Sequence, residues 1–240
     1  DSSVYQGSVS EATFNPGKLL PDTVYYWRVD EVRADMSVVE GHVWAFYVGS
    51  SIEIDNFEDY DDSANPIANA WTASNGTVEL VSGNLAYEGA NAMLVKGTAA
   101  LTTVVLNEDV SFADRIAAGT EVMVLYFRGY LTNSPQIMSL TLEDAFGNSV
   151  TTVYPGQAGD VIAYAPSDWH KWVIDVADFT GIDLEHITGL KLNLNNPGPC
   201  MVYFDKIRLY SGYGCDPSVA DASEDRKSTR LNSSHGKLPR

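Results

Sequence analysis

Short strand-like runs recur along most of the chain and limit what it can fold into. From Val24 to Tyr210, runs of β-branched and aromatic residues are interrupted about every ten positions by Gly, Pro, Asn or Asp. No stretch holds the long 3.6-residue period that an amphipathic helix requires. The pattern therefore predicts an all-β protein.

The charge of the chain excludes two classes of partner. It carries 15 Lys and Arg against 32 Asp and Glu, a net charge of -17, which repels nucleic acid and anionic membranes. The longest apolar runs, such as Val122 to Phe127, fall far short of the roughly 20 residues of a membrane-spanning helix. We therefore expect neither nucleic acid nor a membrane as a partner. Because the chain begins at Asp1 rather than Met, we interpret it as a fragment, with any signal peptide lost or upstream.

The end of the chain differs from the rest in charge. Five of the 15 Lys and Arg follow Glu224. The run from Asp225 to His235 reverse-translates, codon by codon, into what looks like a sequencing-library adapter read in frame. We therefore predict a disordered tail over 214–240, of which residues 225–240 are an artefact. The alternative is a basic tail that binds an acidic partner.

The first segment, residues 1–50, contains two predicted strands. The spacing Leu-x-Pro-x-Thr-x-Tyr, from Leu19 to Tyr25, resembles the F strand of a fibronectin type III domain, where the tyrosine forms a tyrosine corner. His42–Val48 resembles the final strand of that domain. About 50 of the roughly 100 residues of such a sandwich are present, so the resemblance implies a partial fibronectin type III sandwich that acts as a spacer. The small polar triplet Gly49–Ser51 predicts a domain boundary.

The second segment, residues 52–213, carries the motifs that bear on function. They are Asp55–Trp71, Ala86–Leu94, Leu125–Asn148, Trp169–Leu194 and Val202–Tyr210. Together these stretches resemble a jelly-roll β-sandwich of the galactose-binding-like, carbohydrate-binding type that is appended to large secreted bacterial proteins. The most telling part is Tyr-Phe-Asp-x-Ile-Arg-Leu, Tyr203 to Leu209. The resemblance implies an extracellular or cell-surface module, monomeric within a larger chain, with a polysaccharide or glycan as its partner.

The last predicted strand contains an acidic residue at a position expected to be buried. Regular alternation places Asp205 on one face of this strand with Tyr203, Ile207 and Leu209. A carboxylate left there without a partner would cost several kcal/mol. We therefore expect Asp205 to be hydrogen-bonded, ion-paired or bound to a metal.

The resemblance also implies a structural calcium ion. Jelly-roll modules of this kind commonly hold Ca²⁺ between the first strand, the turn after the third strand and the terminal Asp. By position, the implied ligands are Asp55, Glu58, Glu88 and Asp205. Lys206 stands where such modules often have a second acid, which weakens a metal site at this end. The alternative is a solvated acidic loop.

Sugar binding requires exposed aromatic rings for stacking and planar polar groups for the hydroxyls. Alternation along Val122–Tyr130 brings two tyrosines and an arginine to one face, which we predict to be the ligand-binding surface. The predicted ligand contacts are Tyr126, Arg128, Tyr130 and Tyr154. The alternative is that these residues belong to the core or rim of the sandwich. We interpret Trp169 and Trp172 as structural anchors.

No catalytic pattern is evident in the sequence. In a strand, adjacent carboxylates such as Glu143 and Asp144 face opposite sides. The chain has no Gly-x-Ser-x-Gly elbow, and its histidines show no metal-ligand spacing. We therefore predict a protein that is not an enzyme. The alternative to a carbohydrate-binding module is a structural or adhesion module without a sugar ligand.

The two cysteines, Cys200 and Cys215, flank the last predicted strand. A strand of about ten residues spans roughly 33 Å, and five further residues return at most about 17 Å. A disulfide needs Cα atoms within about 7 Å of each other. We therefore predict a buried thiol at Cys200 and a partner for Cys215 outside this chain.

Overall fold

The computed structural model describes residues 16, 19–49, 51–61, 63–98, 101–106, 120–195 and 198–210. The chain divides into two units: Asp1–Gly49 with Tyr213–Arg240, and Ser50–Gly212. The predicted tail and Cys215 lie outside the described residues. Within the described part, no helix is both long and apolar enough to span a bilayer.

The first unit contains two small antiparallel pairs of strands. Strand β1 (Thr23–Arg28) pairs with β4 (Val43–Val48), and β2 (Glu31–Val32) pairs with β3 (Val38–Val39). The Leu20 N–H donates to Tyr25 Oη at 2.7 Å, which is the hydrogen bond of a tyrosine corner. The assignment of this unit to half of a fibronectin type III domain stays a prediction.

In its described residues, the second unit is built from strands and short 3₁₀ turns. Its strands are β5 (Ser51–Asp55), β6 (Trp71–Ser74), β7 (Gly76–Ser82), β8 (Asn91–Gly97), β9 (Thr102–Leu106), β10 (Val122–Arg128), β11 (Ile137–Asp144), β12 (Ser149–Val153), β13 (His170–Asp175), β14 (Ile187–Asn195) and β15 (Cys200–Tyr210). The 3₁₀ turns are Ile67–Asn69, Gly83–Leu85, Ala158–Val161, Val176–Asp178 and Leu184–His186.

These strands form two sheets. The first has the order β13-β10-β15-β8-β7, and β5 joins it alongside the end of β15. The second has the order β12-β11-β14-β9-β6. The pairings within both sheets are antiparallel.

One apolar core lies between the two sheets. Alternate residues of β10 point into it, namely Met123, Leu125 and Phe127, as do Leu190 and Leu192 of β14. The prediction of an all-β chain is confirmed, and the second unit is a β-sandwich. The prediction of a buried thiol at Cys200 is also confirmed, because this residue is a buried free cysteine.

A β-bulge interrupts the regular alternation of β15. Asp205 lies opposite Tyr126 of β10, whereas Arg208 lies opposite Val124. Two residues of β15 therefore face a single residue of β10, which is the geometry of a bulge. At the bulge, Lys206 adopts the left-handed backbone conformation, with φ at 52°.

The bulge changes which side chains of β15 reach the core. Phe204, Ile207 and Leu209 all belong to it. Asp205 instead shares the outer face of the first sheet with its register partner on β10. The prediction that Asp205 lies on the same face as Ile207 and Leu209 is therefore wrong, because the alternation it assumed stops at Lys206.

Candidate functional site

The outer face of the first sheet carries a group of aromatic and cationic side chains. The ring of Tyr87 stacks on that of Tyr126, with centroids 3.9 Å apart and an interplanar angle of 14°. The Trp169 ring meets Tyr87 edge-on at 5.7 Å, and Arg128 Cζ lies 5.5 Å from the Trp169 ring. Lys206 Nζ lies 5.8 Å from the rings of both tyrosines. We call these five residues the aromatic platform.

The platform has a buried floor and an exposed upper ring. Tyr126 and Arg128 are each 5% exposed and come from β10. Tyr87 lies on the loop before β8 and keeps 42% of its surface exposed. Offset stacking of two rings contributes about 0.5–1.5 kcal/mol beyond the burial of area, so the floor fixes the orientation of Tyr87. A ligand can therefore stack on a ring that is already in place.

Two carboxylates hold the loop that carries Tyr87. Asp205 Oδ2 accepts the N–H groups of Tyr87 at 2.7 Å and of Glu88 at 3.1 Å. Glu58 Oε1 accepts the N–H groups of residues 90–91, both at 2.9 Å. The loop is therefore attached to β15 and to the segment after β5 by charge-assisted hydrogen bonds.

Asp205 is fully buried and only partly satisfied. Of the three alternatives predicted for it, hydrogen bonding is confirmed at Oδ2, whereas Oδ1 is buried without a hydrogen-bond partner among the described residues. Burial raises the pKa of the Asp205 carboxyl to about 6, and the negative charge of Glu58 also raises it. The hydrogen bonds from the loop act in the opposite direction but do not cancel the effect of burial.

Cations lie beside these acids. Lys206 Nζ forms an ion pair with Glu88, and Arg208 Nη2 lies 3.4 Å from both Glu88 and Glu53. A pocket beside the platform is lined by Glu58, Glu88, Asp205, Lys206 and Arg208, among others. Positive side chains therefore occupy the space where the resemblance implies a metal ion.

The four implied calcium ligands do not form one set. Asp55 accepts hydrogen bonds from the Phe57 N–H at 2.7 Å, Tyr60 Oη at 2.6 Å and Trp71 Nε1 at 2.7 Å. These bonds make it part of the local fold. Across the described ranges, no group of three or more His, Cys, Asp and Glu side chains is arranged to hold a metal ion. Calcium binding that involves Asp205 stays a prediction.

Tyr154 packs against the core rather than on the platform. Its ring contacts Phe127 at 4.9 Å and Trp172 at 5.4 Å, measured between ring centroids. Its hydroxyl donates to Asp160 Oδ2 at 2.8 Å. Burial, and then this hydrogen bond, raise the pKa of Tyr154 above its usual value. Of the predicted ligand contacts, the structure brings Tyr126 and Arg128 together and places Tyr154 elsewhere.

Tyr130 lies on the loop that follows β10 and is exposed at its side chain. Its N–H donates to the carbonyl of Val161 at 3.2 Å. The buried Asn133 fastens the same loop, because its Nδ2 donates to the carbonyls of Val161 at 2.8 Å and Met201 at 2.7 Å. A Cβ on Gly129 would lie 1.6 Å from the Val161 carbonyl oxygen, so this close approach of two backbones requires glycine.

Tyr87 was missed in the sequence, and Trp169 was interpreted only as an anchor. The acids of Ala86–Leu94 point to a metal site, whereas the signal for Tyr87 is an aromatic residue two positions before Gly89 in a loop. The sequence does not predict that Lys206 lies on the platform, because its run has the pattern of a regular strand. Trp172, in contrast, is buried in the core and does act as an anchor.

No family model matches the chain, and no curated protein matches it. Among solved structures, the family 11 carbohydrate-binding module of the cellulase Lic26A-Cel5E of Clostridium thermocellum is similar, with 13% identity and a TM-score of 0.47 over 70% of this chain and 98% of that one. The CBM22-1 xylan-binding domain of Paenibacillus barcinonensis Xyn10C has 17% identity and a TM-score of 0.45 over 70% and 97%. TmCBM61, in complex with β-1,4-galactotriose, has 15% identity and a TM-score of 0.44 over 68% and 99%. All three neighbours are carbohydrate-binding modules.

Proposed function

We propose that the unit Ser50–Gly212 is a non-catalytic carbohydrate-binding module and that the aromatic platform is its ligand-binding surface. The observation that carries the proposal is the stacked pair of Tyr87 and Tyr126, whose outer ring is exposed beside Trp169 and Arg128. A sugar ring presents an apolar C–H face that stacks on such rings. Its hydroxyls need planar polar groups at the rim of the same surface.

The way in which Tyr87 is held supports this role. Its backbone N–H is bound to the carboxylate of Asp205 and its ring rests on Tyr126. A group that is ordered before the ligand arrives loses little conformational freedom on binding, which favours affinity. The platform is therefore suited to binding a rigid ligand such as a glycan.

The wider setting belongs to the same proposal. A strongly acidic chain with a short β unit before a β-sandwich suits an extracellular or cell-surface protein in which the module is one part of a longer chain. In that setting the first unit acts as a spacer of the fibronectin type III kind. The module binds its glycan without cleaving it.

Affinity electrophoresis of the full chain against a panel of soluble polysaccharides tests the proposal, with β-1,4-galactotriose and a β-1,3-1,4-mixed-linked tetrasaccharide as first short probes. We expect Tyr87→Ala to weaken binding roughly tenfold, because a stacked ring contributes about 1.4 kcal/mol. Phe146→Ala is the matched control, since Phe146 is 70% exposed but lies in the turn after β11, in the other sheet.

The control variant should bind as the wild type does, and no reducing sugar should be released in any sample. If no polysaccharide or oligosaccharide binds, the alternative of a structural or adhesion module is favoured. If Phe146→Ala weakens binding as much as Tyr87→Ala, the platform is not the binding surface.

A further inference from the structure

Two hydrogen-bond donors of the aromatic platform are buried without an acceptor among the described residues. They are Nε of Arg128 and Nε1 of Trp169, and the two side chains lie next to each other. Both donor atoms are closed to solvent, and Arg128 is 95% buried, so a ligand can contact only the 5% of Arg128 that stays exposed. Leaving buried donors unpaired opposes folding, so the surroundings of these two side chains need an explanation.

Arg128 also forms no ion pair with a carboxylate in the part of the chain that the structure describes. Its guanidinium lies against two aromatic rings, 4.2 Å from the centroid of Tyr203 and 5.5 Å from that of Trp169. Other cations of this unit contact glutamates: Lys96 pairs with Glu79, Lys191 with Glu143, and both Lys206 and Arg208 with Glu88. Among the described residues, no ion pair connects Arg128 to an acid within 4.0 Å.

Asp168 is the acid whose charge acts on Arg128, and its carboxylate accepts hydrogen bonds within its own loop. Its Oδ2 accepts the N–H groups of Tyr164 and Ala165, both at 2.8 Å. These hydrogen bonds, more than Arg128, lower the pKa of Asp168. Asp168 therefore orders its own loop and acts on the Arg128 guanidinium only through its charge.

We propose that the glycan bound by the aromatic platform is acidic, and that Arg128 binds a carboxylate or sulfate group on the sugar. This inference rests on the proposed function. A planar guanidinium matches the two oxygens of such a group with parallel hydrogen bonds, which are charge-assisted. The exposed ring of Tyr87 stacks on the sugar that carries the anion.

The acidic character of the protein limits which ligands show this preference. With a net charge of -17, the chain repels a long polyanion at a distance. At 0.15 M salt that repulsion is screened beyond about 8 Å, whereas a direct contact with a buried guanidinium is screened much less. Short oligosaccharides at physiological salt are therefore the appropriate probes.

Isothermal titration of the full chain with three pairs of probes tests the inference. The pairs are a galacturonate trisaccharide and its carboxyl-reduced form, a glucuronate-containing trisaccharide and its carboxyl-reduced form, and a sulfated galactan oligosaccharide and its desulfated form. We expect one acidic member to bind at least about tenfold more tightly than its neutral partner. The pair that shows the difference identifies the anion as carboxylate or sulfate.

Variants of Arg128 test whether this residue causes the preference for acidic ligands. Arg128→Gln should reduce the ratio of acidic to neutral affinity to about one, and Arg128→Lys should keep part of it because the charge remains. Lys96→Gln is the control, since it removes a cation of the same sheet away from the platform. If Arg128→Gln does not fold, as judged by its thermal unfolding, the wild-type ratios and Arg128→Lys decide.

Equal or tighter binding of the neutral members overturns the inference and leaves the proposed function intact. A ratio that persists in Arg128→Gln, or that falls equally in Lys96→Gln, overturns the role of Arg128. If none of these probes binds and no glycan of the wider panel does, both the inference and the proposed function are wrong.

Discussion

Asp205 lies where its charge is least favourable. It is fully buried, one of its oxygens has no hydrogen-bond partner in the described part of the chain, and Glu58 adds negative charge nearby. Burial raises the pKa of its carboxyl from 3.8 to about 6. Because the pKa is higher in the folded chain than in the unfolded chain, the associated stability is fully present below pH 3.8 and is lost as the pH rises through 6.

We expect Asp205→Asn to remove this loss. The amide oxygen of asparagine still accepts the hydrogen bonds from Tyr87 and Glu88. Each pKa unit corresponds to about 1.4 kcal/mol, so between pH 4 and pH 7 the variant should gain up to about 3 kcal/mol of unfolding free energy relative to the wild type. Urea unfolding of both proteins in chelator at several pH values measures the difference, and identical pH profiles would contradict the assignment.

The same unfolding measurements with added calcium test the predicted metal site. If Asp205 and Glu58 bind Ca²⁺, calcium at about 100 times its Kd adds about 2.7 kcal/mol to the unfolding free energy of the wild type. Asp205→Asn should then lose most of this gain. If chelation leaves the wild type unchanged, Lys206 and Arg208 supply the compensating charge and the calcium prediction is wrong.

For single residues, the sequence predicts which face of a strand a side chain lies on better than which residues it contacts. The alternation of β10 correctly places Tyr126 and Arg128 opposite the core residues of the same strand. It fails in β15, because left-handed backbone at a lysine is rare and no local residue signals it. The hydrogen bond between Tyr87 and Asp205 joins positions 118 residues apart, so it depends on the packed fold and not on local pattern.

The loop after β10 depends on one backbone contact. Gly129 follows directly after Arg128 and packs against the carbonyl of Val161, at the end of the 3₁₀ turn Ala158–Val161. The contact fixes where β10 stops and where the next segment begins. The geometry of Arg128 on the platform therefore depends on the absence of a side chain at the neighbouring position.

We expect Gly129→Ala to destabilise the second unit by about 1–3 kcal/mol, the usual cost of overpacking, and to weaken glycan binding. A Cβ at this position would lie 1.6 Å from the oxygen and 2.1 Å from the carbon of the Val161 carbonyl, and a backbone group cannot move aside cheaply. Thermal unfolding and affinity electrophoresis of the variant measure both effects.

Gly159→Ala is the matched control, because a Cβ at Gly159 meets nothing within 4 Å although the residue belongs to the same turn. It should leave stability and binding close to those of the wild type. A Gly129→Ala variant as stable as this control would show that the close contact between Gly129 and Val161 does not contribute to stability.

Among the elements, the strands are predictable and their pairing is not. The β-branched and aromatic runs fix β1, β4 and β10 to within a few residues. The order of the strands in the first sheet brings β10 beside β13 and β15, which are distant in the sequence. Such pairings follow from burial of both sheet faces, and a single sequence contains no direct signal for them.

The two units of the whole molecule differ in how completely they bury their apolar residues. Ser50–Gly212 encloses its own core between two sheets. In the described part of the first unit, β1 pairs with β4 alone, and Tyr26 and Trp27 remain exposed. A two-stranded sheet with an uncovered apolar face is marginal in water.

We therefore expect limited proteolysis to cut first near Gly49–Ser51 and to leave a stable fragment that corresponds to residues 52–213. The fragment should unfold cooperatively at nearly the same temperature as the main transition of the full chain, because its core is complete. Mass spectrometry of the digest and calorimetry of the fragment check this. Protection of residues 1–49 in place of the second unit would show that the boundary is misplaced.

The distribution of tryptophans gives the molecule separate optical reporters. Trp71 and Trp172 are buried in the core of the second unit, and Trp27 stacks on Trp44 in the first. Trp169 lies in the platform, beside a guanidinium and the exposed ring on which a ligand would stack. The fluorescence of Trp169 should therefore change when a ligand binds to the platform. The emission of the buried tryptophans should change when the protein unfolds. A single fluorescence experiment can thus distinguish ligand binding from unfolding.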